Sequence, residues 1–185
     1  MAFDASSEAV PTTAIFTPND VSTILSERGW LGGLAMTESD SALQAWLVRA
    51  ADLLGPHAAD RAALADLLEL VFSYDAAAVL EQPASQAVLA REGSRDVIRE
   101  LANRVLDGSE IDSDRFKEII DLMKTALPQR SRELFQPIRL ALAGRAGEGE
   151  LDRVILLLDS AAKLEFAVPV KGTRQRMLEF CAAMD

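Results

Sequence analysis

Few side chains in this sequence could carry out covalent chemistry, and their spacing narrows the choice further. His57 is the single histidine, and it follows Gly55-Pro56 with Asp52 and Asp60 a few residues away. A base and its orienting carboxylate need a nucleophile beside them, and nothing around this turn marks one. The single cysteine, Cys181, lies four residues after Met177 on an apolar face, with no neighbouring cation to favour a thiolate. One cysteine excludes an intramolecular disulfide and fits a reducing compartment. One histidine and one cysteine also exclude a conventional zinc cluster. Asp112 and Asp114 lack the loop spacing of a calcium site, and Gly32-Gly33 lacks the Lys-Ser/Thr of a phosphate loop. No catalytic residue, metal or cofactor is expected.

Positive charge is the remaining resource. The 185 residues carry a formal net charge of −10, which argues against a general nucleic-acid binder. That charge is unevenly spread. Residues 1–100 hold six Lys/Arg against fifteen Asp/Glu, a net of −9, whereas 129–176 hold nine against six, a net of +3. A local basic face on an acidic body is compatible with one specific RNA contact, and equally with a solvated surface.

The elements that must position these groups read as helices throughout. Hydrophobic residues make up 49% of the chain and aromatics only 5%, which predicts an aliphatic core of closely packed helices. Thr17-Pro18-Asn19-Asp20 is a helix start, with a capping hydroxyl, proline in the first turn and an acid three residues on. Leu43, Trp46, Leu47, Ala50, Leu53 and Leu54 recur at three and four within a helix over 38–54. Similar stripes predict helices over 60–72, 95–106 and 116–127, with shorter ones near 76–80 and 83–89.

Pro137 stands where a short helix is expected to begin, and Gly144 where it ends. Ile138, Leu142 and Leu134 share a face, Phe135 closes the N-terminal end, and Arg139 and Arg145 are left to project from the rim. Residues 151–158 form a helix apolar enough to be surrounded on most sides. A last short turn of helix is expected over 159–168. Residues 173–184 then place Met177, Leu178 and Cys181 on one side and Arg174 and Arg176 on the other.

No alternating stretch or repeat is present. The expected fold is all-α, with nine or ten short helices packed orthogonally. The expected divisions are a lead-in and first helix over 1–35, an acidic helical subdomain over 36–108, and a second helical subdomain over 109–185. No basic leader opens the chain and no apolar run approaches a membrane span, so a soluble, cytoplasmic protein is expected.

The run Leu134-Phe135-Gln136-Pro137-Ile138-Arg139-Leu140-Ala141-Leu142-Ala143-Gly144 resembles the L-F-x-P-[IL]-R-x-A-L-T-G run of one known family. That family is the C-terminal, anticodon-binding helical region of bacterial-type glutamyl-tRNA synthetases. Leu134, Phe135, Pro137, Ile138, Arg139, Ala141, Leu142 and Gly144 match, and Ala143 replaces its threonine. Gly149-Glu150-Leu151 sits where the family has a G-P-E-L-like turn, although Glu148-Gly149 stands in place of Gly-Pro. Upstream, Phe72-Ser73-Tyr74-Asp75-Ala76-Ala77-Ala78 is similar to its F-x-F/Y-D-x-A segment. The resemblance spans roughly residues 40–164.

The resemblance implies a helical anticodon-binding cage. In such a cage Arg130, Arg132, Arg139, Arg145 and Lys163 would face RNA, and Leu134, Phe135, Pro137, Ile138, Leu142 and Gly144 would form the structural motif. An arginine fork suits phosphates, base edges and stacking. For Arg139, a structural role holding a carboxylate or loop carbonyls stays open. Trp30, Tyr74 and Phe135 are the aromatic side chains near these surfaces.

The family's H-I-G-H-like and K-M-S-K-S-like catalytic motifs do not occur here. The chain is therefore expected to bind tRNA, of the glutamate type, without catalysis of its own and without a cofactor. The expected setting is as part of a glutamate–tRNA ligase or paired with a synthetase-like catalytic protein; neither DNA nor membrane is an expected partner. The alternative is a protein-interaction module of the same fold that has lost RNA affinity, since an acidic half can dock a basic partner. A small enzyme built on His57 is the third reading.

Overall fold

The computed structural model describes residues 15–31 and 41–185. Expectations for the lead-in, the Gly32-Gly33 turn and the opening of the helix at 38 lie outside the described residues. Among the described residues ten α-helices follow one another with no strand, as the missing alternation required.

Local chemistry starts several of them. α1 (Pro18–Glu27) opens with a reciprocal cap, in which Asp20 N–H donates to Thr17 Oγ1 and Thr17 N–H to Asp20 Oδ2 at 2.7 Å. α3 (Arg61–Phe72), α4 (Ala76–Glu81) and α7 (Ser113–Ala126) begin on Asp60, Asp75 and Asp112. Each of these carboxylates accepts an N–H that its helix leaves free. α2 (Ser41–Leu54) ends in a single 3-10 turn, Gly55–His57, and α5 (Pro83–Leu89) opens on its proline. α6 (Ser94–Val105) is entered through Gly93, whose φ of 82° is left-handed.

α9 (Glu150–Ala162) is the central element, packed against α2, α3, α8 (Arg132–Ala143) and α10 (Thr173–Met184). Leu151, Val154, Ile155, Leu157, Leu158 and Ala161 are fully enclosed, which explains its nearly unbroken apolar sequence. Beside it Trp30 stacks on Phe72 at 4.7 Å between ring centres, with Trp46 and Phe166 edge-on. Trp46 donates its indole N–H to the Leu157 carbonyl, which satisfies its one polar atom inside the core. None of the described helices is long and apolar enough to cross a membrane.

Three expectations are corrected. Pro137 does not open α8; the helix starts five residues earlier, at Arg132, and carries the proline inside. The hydrogen bond that Pro137 cannot make would have gone to the carbonyl of Glu133, a residue that is exposed. Residues 163–172 are not helical, because Phe166 must reach the aromatic cluster and Ala167 N–H donates to the Trp30 carbonyl at 2.8 Å. On α10 the faces are rotated: Arg176 is fully buried and Leu178 is exposed.

Candidate nucleic-acid interface

The two segments that carried the resemblance are about sixty residues apart in sequence and meet in space. Tyr74 donates its hydroxyl to the Ala141 carbonyl at 2.6 Å. Gly144, with φ 82°, ends α8 directly against that ring; a Cβ there would lie 3.2 Å from Tyr74 Cδ2. The glycine is thus required twice, by its backbone conformation and by the close approach. Burial pushes the Tyr74 phenol well above its ordinary range, so it remains a hydrogen-bond donor.

Arg176 completes this junction. Its guanidinium donates to the carbonyls of Leu70 and Val71, at the end of α3, and to Leu142, at the end of α8, all within 2.9 Å. Nε adds a bond to the Lys171 carbonyl at 2.9 Å, and the Tyr74 ring lies 4.6 Å from the guanidinium carbon. Among the described residues no carboxylate pairs with it. The terminal carbonyls of two helices, which lack partners inside their own helices and carry the negative ends of the helix dipoles, hold the charge instead. Burial lowers its pKa to about 10, which still leaves it cationic at neutral pH.

Arg139, expected at the rim, is buried. Its Nε and Nη2 bond both oxygens of Asp152, at 2.8 and 3.0 Å, and Nη1 reaches the Gly147 carbonyl at 3.2 Å. The Phe135 ring covers the guanidinium at 5.0 Å. This two-pronged pair ties α8 to α9 and folds the loop between them back along the helix. All three of the donor-bearing nitrogens of Arg139 are occupied within the protein.

The other implied contacts separate clearly. Lys163 pairs with Glu110. Arg145 is exposed and unpaired among the described residues, but it borders a cleft of about 410 Å3 that Asp66, Glu69 and Asp75 also line. Arg130 wraps over the end of α7, donating to the carbonyls of Lys124, Leu127 and Gln129 between 2.6 and 2.7 Å. Among the described residues its charge is met by carbonyl dipoles. Arg132 is exposed, with one loose contact of 3.7 Å to Glu148. Of the aromatic candidates, Trp30 is buried in the core and Tyr74 lies between Arg176 and Lys171. Phe135 is half-buried beneath Arg139 and Lys124.

Two further arginines join Arg130 and Arg132, and both come from the acidic half. Arg91 donates to Gln136, the variable position of the L-F-x-P run. Next to it, the Gln129 side chain packs on Gly93 so closely that a Cβ there would fall 1.9 Å from Nε2. These contacts press the α7–α8 turn onto the α5–α6 loop. Arg91 and Arg95 thereby line a shallow groove of about 650 Å3 at the end of the molecule that carries Arg130 and Arg132. Across 91–99 and 129–133 there are five arginines against three acids, a net of +2, and one of those acids, Asp96, already pairs with Arg99. Sequence reasoning missed Arg91 and Arg95, because they sit in the half of the chain, 1–100, whose net charge is −9.

Comparison with known proteins agrees with this geometry. Residues 25–164 match the family model described as the anticodon binding domain. The glutamate–tRNA ligase 2 of Syntrophus aciditrophicus (strain SB) is 26% identical over 136 residues, covering 69% of this chain. The chain spans about a quarter of that relative, 26% of its length. No solved structure matches significantly. Both of the segments that close on each other at Tyr74 and Gly144 fall inside the matched range, and the chain belongs to the anticodon binding domain family.

Proposed function

We propose that this chain binds the anticodon arm of a tRNA, with glutamate tRNA as its preferred partner, and contributes recognition rather than catalysis. The observation that carries the reading is the family match over 25–164, which spans the hairpin α8–α9 and the arginine-lined end. Glutamate identity rests on the similarity to a glutamate–tRNA ligase. In this reading any amino-acid activation belongs to a catalytic domain or protein beyond these residues.

The groove at the α5–α6 and α7–α8 turns supports the reading physically. Arg91 is held there by the Gln136 amide and Arg130 by backbone carbonyls, Arg95 makes no hydrogen bond or ion pair among the described residues, and Arg132 has a loose 3.7 Å contact with Glu148. Such cations serve phosphates, which position RNA without reading its sequence. The test is fluorescence anisotropy with glutamate tRNA, a non-cognate tRNA and an anticodon-altered glutamate tRNA at low and physiological salt. Binding that survives physiological salt and weakens with the altered anticodon is the expected result. Absent binding, or equal binding of all three that disappears with salt, would overturn it.

A further inference from the structure

All nineteen Lys and Arg side chains lie among the described residues, and nearly all have a partner there. Arg95, Lys117, Arg145 and Arg153 make no hydrogen bond, ion pair or ring contact within them. Arg95 lines the groove already described, and Arg145 borders the three carboxylates of its cleft. Lys117 and Arg153 come from different helices and line one and the same pocket, of about 290 Å3.

The rest of the lining gives that pocket its character. Phe116 is half-buried on the first turns of α7, and Leu156 forms an apolar floor. His57 approaches from the 3-10 turn after α2, with Ser113 and Gly149 at the starts of α7 and α9. The one acid lining it, Asp152, is already committed through both its oxygens to Arg139. Two uncompensated cations, an aromatic ring, an imidazole and an apolar floor are thus gathered from three separate elements, the 3-10 turn, α7 and α9. A purely solvating pair of surface charges needs no pocket and no aromatic beside it.

We infer that this pocket holds one unstacked nucleotide, its base against Phe116 and its phosphate between Lys117 and Arg153. His57 and the Ser113 hydroxyl are placed to donate to the same phosphate or to the ribose. Aromatic stacking accepts any base, and the two cations provide the charge. The volume suits one such unit and is at the lower limit for a small-molecule site. The inference rests on the RNA-binding reading above and adds to it a second contact site, away from the α5–α6 groove.

The chemistry of a nucleotide is shared by free mononucleotides and by RNA, and the test separates them. Affinity for glutamate tRNA is measured across a salt series with the full chain and its Lys117→Gln, Arg153→Gln and Phe116→Leu variants. Arg61→Gln, which removes a distant charge paired with Glu27, serves as the electrostatic control. Leucine keeps the apolar volume that Phe116 contributes to the core, and circular dichroism verifies folding.

Each charge variant is expected to weaken binding several-fold and to flatten the salt dependence by about 0.7 in slope, the value for one single-stranded phosphate contact. Phe116→Leu is expected to weaken binding about tenfold with the slope unchanged, because stacking releases no counterions. Arg61→Gln should leave both nearly as they are. Variants that bind tRNA like the parent overturn the pocket, while the anticodon reading stands if the parent still discriminates the altered anticodon. A parent that binds no tRNA overturns both. Amide shifts at 113–117 and 149–156 on adding mononucleotides, with tRNA affinity unchanged in the variants, assign the pocket to a free nucleotide and overturn its occupation by RNA.

Discussion

Two sets of arginines in this protein are alike in sequence and opposite in fate. Arg139 and Arg176 lie inside, with every nitrogen engaged, the first by Asp152 and Gly147 and the second by the ends of α3 and α8. Arg91, Arg95, Arg130 and Arg132 lie at one exposed end, where an amide orients Arg91, carbonyls orient Arg130, Arg95 makes no hydrogen bond or ion pair among the described residues, and Arg132 keeps a loose contact with Glu148. The difference shows that the most recognisable arginine of the motif, Arg139, builds the hairpin. The charge available to a polyanion is displaced to residues that no motif marks.

Removing an interior arginine should affect folding most. Arg176→Ala strips the guanidinium donor from four carbonyls, and a loss of roughly 3–5 kcal/mol in chemical denaturation is expected. Arg176→Lys should recover little of it, because a single ammonium cannot span three segments as a planar fork does. Stability within 1 kcal/mol of the parent would remove Arg176 from the interior set.

Arg139→Gln should cost about 3 kcal/mol, since it leaves Asp152 largely enclosed without its counter-charge. Asp152→Asn should cost a similar amount, and the double variant less than their sum, because both remove one interaction. At a temperature where Arg139→Gln is still folded, its tRNA affinity should match the parent. A selective loss of affinity would place Arg139 among the RNA contacts after all and erase the comparison.

The exposed set should behave in reverse. Arg91→Gln and Arg95→Gln are expected to shift stability by no more than about 0.5 kcal/mol. Each should nonetheless weaken tRNA binding several-fold at low salt and lower the salt slope by about 0.7 to 0.9. An unchanged slope for both would leave the groove without a role in RNA binding.

How much of this was legible beforehand varies by element. The capped starts at Thr17, Asp60 and Asp112 were plain, because a cap is made within three or four residues of sequence. The stripe of α9 was equally plain, since residues enclosed on all sides leave little room for polar side chains. Pro137 misled because proline is most at home in the first turn of a helix, whereas here it stands in the second, where the hydrogen bond it forgoes is to exposed Glu133. Arg176 misled because a charge on an amphipathic helix is normally assigned to water. Its burial depends on carbonyls supplied by residues 70, 71 and 142, at distances no periodicity reports.

By itself the sequence determined the class of fold, the order of most helices, the absence of catalytic motifs and the family resemblance through residues 72–78 and 134–144. Those features follow from local hydrogen bonding, side-chain periodicity and residue identity, all of which are properties of neighbours along the chain. Which cation is buried and which is free was decided only in three dimensions. The electrostatic energy of a guanidinium depends on the carbonyls, carboxylates and water around it, and packing alone brings Arg91 to Gln136, Arg176 to two helix ends, and Lys117 beside Arg153.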